Sequence, residues 1–108
     1  MVNNDKVPEL TNGEFNNFIT KGLVLVDFYA DWCMPCLMIA PVIEELAERF
    51  EGKIKFGKLN VEDNSVLSHK YKVSSIPNLI LFKNGEMVER FVGNQSSEDF
   101  EKKLKKFI

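Results

Sequence analysis

The chain has little cysteine, little histidine and no long apolar run, and each scarcity excludes a class of function. Two cysteines, Cys33 and Cys36, and one histidine, His69, occur among 108 residues. A zinc site wants about four ligands, commonly two C-x-x-C pairs or one such pair with two histidines. One pair and a distant histidine do not supply them, so no metal site is expected. No run reaches the ~18 apolar residues of a membrane-spanning helix, so none is expected. Charge of one sign is also lacking: 14 basic and 16 acidic residues are interspersed, for a net charge of -2. A nucleic-acid binder normally shows a basic face and a high pI, so that class is set aside. The N-terminal "MVNNDKVPEL" has no apolar core segment, so no secretory signal is expected and the protein is placed in the cytoplasm. In that compartment a disulfide is usually catalytic or redox-sensing rather than structural. Repeats, low-complexity segments and linkers are lacking too. Residues 1–108 therefore read as one domain, large enough to bury roughly two-thirds of its surface.

What is present is a regular succession of periods. "LTNGEFNNFI" reads as a short helix, with Thr11 and Glu14 at capping-box spacing. "LVLVDFYA", Leu23 to Ala30, is an apolar run of strand length, so both its faces are expected to be buried. From Cys33 to Phe50, Ile39, Val42, Ile43, Leu46, Ala47 and Phe50 recur at helical spacing. "KIKFGKLN" alternates like a strand. Asn64 caps a short helix through Tyr71, and "NLILF-KNGE-MVERFV" reads as a hairpin with Asn84-Gly85 at its tip. "SSEDFEKKLKKFI" is an amphipathic helix capped by Ser96 or Ser97. The strand–helix–strand start implies a parallel central pair, to which the hairpin adds antiparallel strands. The expected class is α/β: a central mixed sheet of four to five strands, with about four helices on both faces. The fifth strand would come from "KVPEL", where Pro8 fits only at an edge.

Cys33 follows the buried strand and starts the long helix. Its sulfur therefore meets the positive end of a helix dipole and the unpaired N–H groups of the first turn. A dipole contributes up to ~1 kcal/mol at an exposed site, and tenfold in ionisation is ~1.4 kcal/mol. The dipole alone thus falls short of a tenfold gain in thiolate, and an S–H···S⁻ hydrogen bond from Cys36 is the simplest supplement. Cβ atoms three apart on a helix lie ~5–6 Å apart, whereas a disulfide wants ~3.8 Å. The first turn must tighten to close so small a ring, which makes the bond easier to reduce than a relaxed disulfide. Pro35 is tolerated in a first turn and stiffens the ring. A purely structural staple gains little from closing so short a loop. A redox couple is therefore expected.

Asp27 lies inside the buried run, where an acid is rare and costly. Desolvation should raise its pKa and let it exchange a proton near neutral pH. It is the candidate acceptor for the proton of Cys36, directly or through a water. The competing reading pairs it permanently with Lys58 on the neighbouring strand, and the two are compatible. Only ~5–6% of X–Pro bonds are cis in folded proteins, so frequency alone makes Pro77 trans. Pro41, well inside the long helix, is expected to shape it, and His69 is expected on the surface.

In order along the chain, "VDFYADWCMPC", Ala40-Pro41, "KLNVED", "SSIPN", "LFKNGE" and "FVG" together resemble the thioredoxin family, over nearly the whole length. The resemblance implies the thioredoxin fold and reduction of protein disulfides. It implies Cys33 as nucleophile, Cys36 as resolving thiol, Asp27 as the buried acid, Lys58 as its companion, and Pro77 as a cis-proline beside the dithiol. Trp32, Ile76 and Gly93 match the apolar patch where substrate peptides dock. No bound cofactor is implied, since the dithiol carries two electrons itself. The implied partners are protein disulfides and a thioredoxin reductase or equivalent donor, with the chain a monomer. The family usually has Gly at Met34, commonly Trp at Tyr29, and usually Gly and Thr at Ser75 and Asn78. Met34 and Pro35 lie between the cysteines and are expected to tune the reduction potential. Rival readings are a glutaredoxin-like or isomerase-like relative with another electron source, and a binding protein that holds partners at Trp32 under redox control.

Overall fold

The computed structural model describes residues 6–108. Its elements are α1 (Asn12–Ile19), β1 (Leu23–Tyr29), α2 (Met34–Arg49), β2 (Ile54–Asn60), α3 (Ser65–Lys70), β3 (Asn78–Lys83), β4 (Glu86–Val92) and α4 (Ser97–Lys105). The four strands form a mixed sheet in the order β2-β1-β3-β4. β1 and β2 are parallel, and the remaining pairs are antiparallel. This is the α/β architecture the periodicities predict.

Strand alternation sorts the core into two layers. Leu25, Leu79 and Leu81 pack against Ile39, Ile43 and Leu46 of α2 and Phe100 of α4. Val24, Val26, Phe28 and Ile80 pack on the other face against Phe15 of α1 and Leu67 of α3. β1 is buried on both faces, as its continuous apolar run requires. Asp27 falls two residues after Leu25, so it points into the α2 side of the sheet.

"KVPEL" does not form a fifth strand. It docks on β2 through one parallel bridge, Glu9 to Lys58. Leu10 N–H donates to Lys58 O at 2.8 Å, and Lys58 N–H to Pro8 O at 3.0 Å. Pro8 has no N–H to offer, so the pairing stops there. Close beside this bridge, a Cβ on Gly57 would come within 2.9 Å of the side chains of both Leu10 and Phe18, so any larger residue would force those two to shift.

Local signals end the elements where the chemistry predicts. Glu14 accepts from the Thr11 N–H at 3.0 Å and the Thr11 hydroxyl at 2.9 Å, closing the start of α1. Ser96 Oγ, not Ser97, caps α4 by accepting from Asp99 N–H at 3.1 Å. Asn84 and Gly85 both have positive φ, which gives the two-residue hairpin the twist its strands need. α2 runs unbroken through Pro41.

Candidate active site

β1 ends at Tyr29, and α2 begins at Met34. Between them Cys33 is the N-cap of α2, in extended backbone, with Pro35 in the first turn. Cys33 Sγ accepts a hydrogen bond from the Cys36 N–H at 3.2 Å. The two cysteines are joined as a disulfide, with their Cα atoms 5.2 Å apart. One first-turn N–H that would otherwise be unpaired, that of Cys36, is thus aimed at the sulfur of Cys33.

Exposure does not separate the two cysteines, since each is 3% exposed. Their surroundings do. Cys33 lies between Trp32 and Met34, both 66% exposed. Cys36 is buried on α2, one turn before Ala40 and two before Ile43 and Glu44. Those last three line a small cavity of about 30 Å³ with Val7, Asp27 and Lys58. Four helical residues rise ~6 Å, so Cys36 lies about one turn from the Asp27 side of the cavity. The cavity has room for about one water.

Asp27 is buried, and its Oδ1 has no hydrogen-bond partner among the described residues. Burial pushes its carboxyl up to about 7; Lys58 opposes that rise and Glu9 adds to it. Asp27 and Lys58 face each other in the β1–β2 register. Yet no carboxylate lies within 4.0 Å of Lys58 Nζ among the described residues. The amine instead lies over the Tyr29 ring, 5.7 Å from its centre. Opposed positions are present; a closed, permanent ion pair is not.

The remaining predicted residues come to the same end of the sheet, where the start of β3 and the end of β4 lie beside the end of β1. Ile76 packs against the cluster of Ala30, Cys33 and Cys36. The Ile76–Pro77 peptide is cis, so the trans expectation from frequency is not met. Gly93, at φ 82°, donates its N–H to Pro77 O at 2.9 Å. Trp32 is exposed beside Cys33. His69 is exposed on α3, as expected.

Sequence reasoning missed two arrangements. The Tyr29 hydroxyl donates to Glu9. Arg90 donates to Asn78 Oδ1 at 3.1 Å and Tyr71 O at 2.5 Å, while Asn78 Nδ2 donates to Ser75 O at 3.2 Å. Together these bonds bolt the turn before Pro77 to β4. The unusual Ser75, Asn78 and Tyr29 were the available signals, but their partners are distant in sequence.

Among the described residues no helix is long and apolar enough to cross a membrane. Nor do three or more His, Cys, Asp or Glu side chains there form a group that could hold a metal ion. A dithiol at a helix N-terminus, with a protonatable acid below it, is suited to two-electron exchange with disulfides.

Known proteins point the same way. The Thioredoxin family model matches residues 6–106. The thioredoxins of Staphylococcus aureus strains Mu50, MW2 and N315 are each 45% identical over 102 residues, covering 94% of this chain and 98% of theirs.

Proposed function

The chain belongs to the thioredoxin family, and on that premise we propose how its dithiol is used. It is a thiol–disulfide oxidoreductase whose redox centre is the Cys33–Cys36 pair. In the proposed cycle the Cys33 thiolate attacks a substrate disulfide. One substrate sulfur leaves as a thiolate, and the other forms a mixed disulfide with Cys33. Cys36 then gives its proton to Asp27, through a water in the cavity beside it, and attacks Cys33 Sγ. The second substrate sulfur leaves and Cys33–Cys36 closes. Two electrons have passed to the substrate, and a separate thioredoxin reductase or equivalent donor returns them to the chain.

One observation carries the order of attack: Cys33 Sγ is the group the α2 N-terminus faces, accepting from the Cys36 N–H. Those donors hold a thiolate better than a thiol. Lys58, opposite Asp27, helps set when the shuttle gives up its proton. The backbone beside Pro77 and the apolar surfaces of Trp32, Ile76 and Gly93 receive an extended substrate segment. All these groups come from one chain, which suits a monomer. A dithiol that must be re-reduced suits the reducing cytoplasm. Limited alkylation of the reduced protein with iodoacetamide at pH 7 tests the assignment. Cys33 is expected to be modified ~10-fold or more faster than Cys36, as the thiolate is the reacting species. Equal or reversed labelling by peptide mass spectrometry would refute it.

Met34 at the first position of α2 leaves most of its apolar surface free beside the disulfide. Covering such a side chain on docking contributes ~1 kcal/mol. Met34→Gly is therefore expected to lower kcat/KM for insulin ~5-fold. Gly also loosens the backbone by ~0.5–1 kcal/mol, which makes the ring harder to close and raises the reduction potential by ~10–20 mV. Unchanged kinetics and potential would show Met34 to be a passenger.

A further inference from the structure

Three side chains stand in a row across the β2 edge of the sheet. Asp27 on β1 is in register with Lys58 on β2, and Lys58 is bridged to Glu9 of the N-terminal segment. Register partners project from the same face, so an acid, a base and an acid lie side by side. Tyr29, two residues after Asp27 and on the same face, completes the group. Its hydroxyl donates to Glu9, and its ring lies under Lys58 Nζ. Burial first, and then the bond to Glu9, push the Tyr29 phenol well above its ordinary range, so it remains a donor at every working pH.

We propose that Glu9, held in place by the Tyr29 hydroxyl across Lys58 from Asp27, is a positioning residue whose charge disfavours the Asp27 carboxylate. The proposal rests on the reading of Asp27 as the dithiol's proton acceptor, and it adds what sets that acceptor. The charged groups facing Asp27 are Lys58 from β2, Glu9 from the N-terminal segment and Glu44 from α2, which lines the same cavity. β3 offers only Leu79 opposite Asp27. Without the Tyr29 hydroxyl, the exposed Glu9 swings into water and its charge no longer bears on Asp27.

The test is a carbon-13 titration of the Asp27 carboxyl in the oxidised protein, where the cysteines do not ionise. Asp27→Asn identifies the signal by removing it. Glu9→Gln is expected to lower the Asp27 midpoint by ~0.3 pH unit, as one charge acts across two strand spacings, ~10 Å, in watery surroundings. Tyr29→Phe should lower it in the same direction, and the double variant no further than Glu9→Gln alone. A midpoint unmoved in both single variants, with only thermal stability lowered, overturns the proposal and leaves Glu9–Tyr29 as a staple for the N-terminal segment. Separately, an Asp27→Asn protein that reduces insulin at the wild-type rate from pH 6 to 9 would sink the shuttle reading, whatever Glu9 does to the midpoint.

Discussion

A Cys33→Ser variant will not accelerate the reduction of insulin by dithiothreitol, while a Cys36→Ser variant will accumulate mixed disulfides with its substrates. Both lose turnover, but for different reasons. Serine at position 33 offers a hydroxyl that neither ionises at neutral pH nor exchanges with a disulfide, so the first bond never forms. Serine at position 36 leaves the first attack intact. The Cys33 sulfur still sits at the N-terminus of α2, because the bond it accepts comes from the backbone N–H of residue 36, not its side chain. The mixed disulfide then has no internal thiol to resolve it, and it persists until external dithiothreitol cleaves it. Its lifetime should therefore shorten in proportion to dithiothreitol concentration. Non-reducing gels and intact-mass measurement read the adduct directly. Trapping by Cys33→Ser instead of Cys36→Ser would reverse the assigned order. Insulin reduction that survives Cys33→Ser would remove the dithiol from the reaction altogether.

How far the sequence foretold this site depends on the range of each interaction. The dithiol and its helix were legible because strand, N-cap, proline and helix follow one another within a few residues. Asp27 was legible because an acid in an apolar strand stands out against its own neighbours. Its opposition to Lys58 needed only the parallel pairing of two recognised strands, and the register places them face to face. The cis bond at Pro77 was not legible from local physics, which favours trans; only the resemblance pointed to it. Glu9 was missed because its segment meets the sheet through a single bridge, too little pairing for a period to register. The Arg90–Asn78–Tyr71 bonds were missed for a related reason. They join β4 to a turn many residues earlier, and an arginine in an exposed strand reads as solvated until the fold brings acceptors to it. Interactions within one element were visible, whereas those that depend on how a turn is laid against a distant strand were not.

Asp27→Asn should make the oxidised protein more stable above neutral pH and slower in its reaction. Burial raises the Asp27 carboxyl from the ordinary 3.8 to about 7. An acid whose folded value lies above its unfolded value binds its proton more tightly when folded. Below about pH 4 the carboxyl is protonated in both states, and its favourable contribution relative to the ionised form is fully present. That stability is lost as pH rises through the window up to about 7, and above it the cost stays constant. The interval corresponds to at most ~4 kcal/mol. Asparagine has nearly the same shape and no charge to bury, although its amide brings donors that need partners. The variant is therefore expected to match the wild type at pH 4 and exceed it by ~1–4 kcal/mol at pH 8.5. Urea midpoints across pH 4 to 9 measure this, and taking the difference between the two proteins cancels every other titrating group. A constant difference with pH would mean that Asp27 keeps an ordinary pKa. The rate should move the other way. Loss of a positioned base typically costs 10² or more, and a thiol, acidic enough to ionise partly by itself, should lose ~10-fold between pH 6 and 8. The two measurements together separate a group retained for chemistry from one retained for the fold. On the proposed reading, Asp27 is carried at a cost to the sheet above neutral pH because it moves a proton at Cys36.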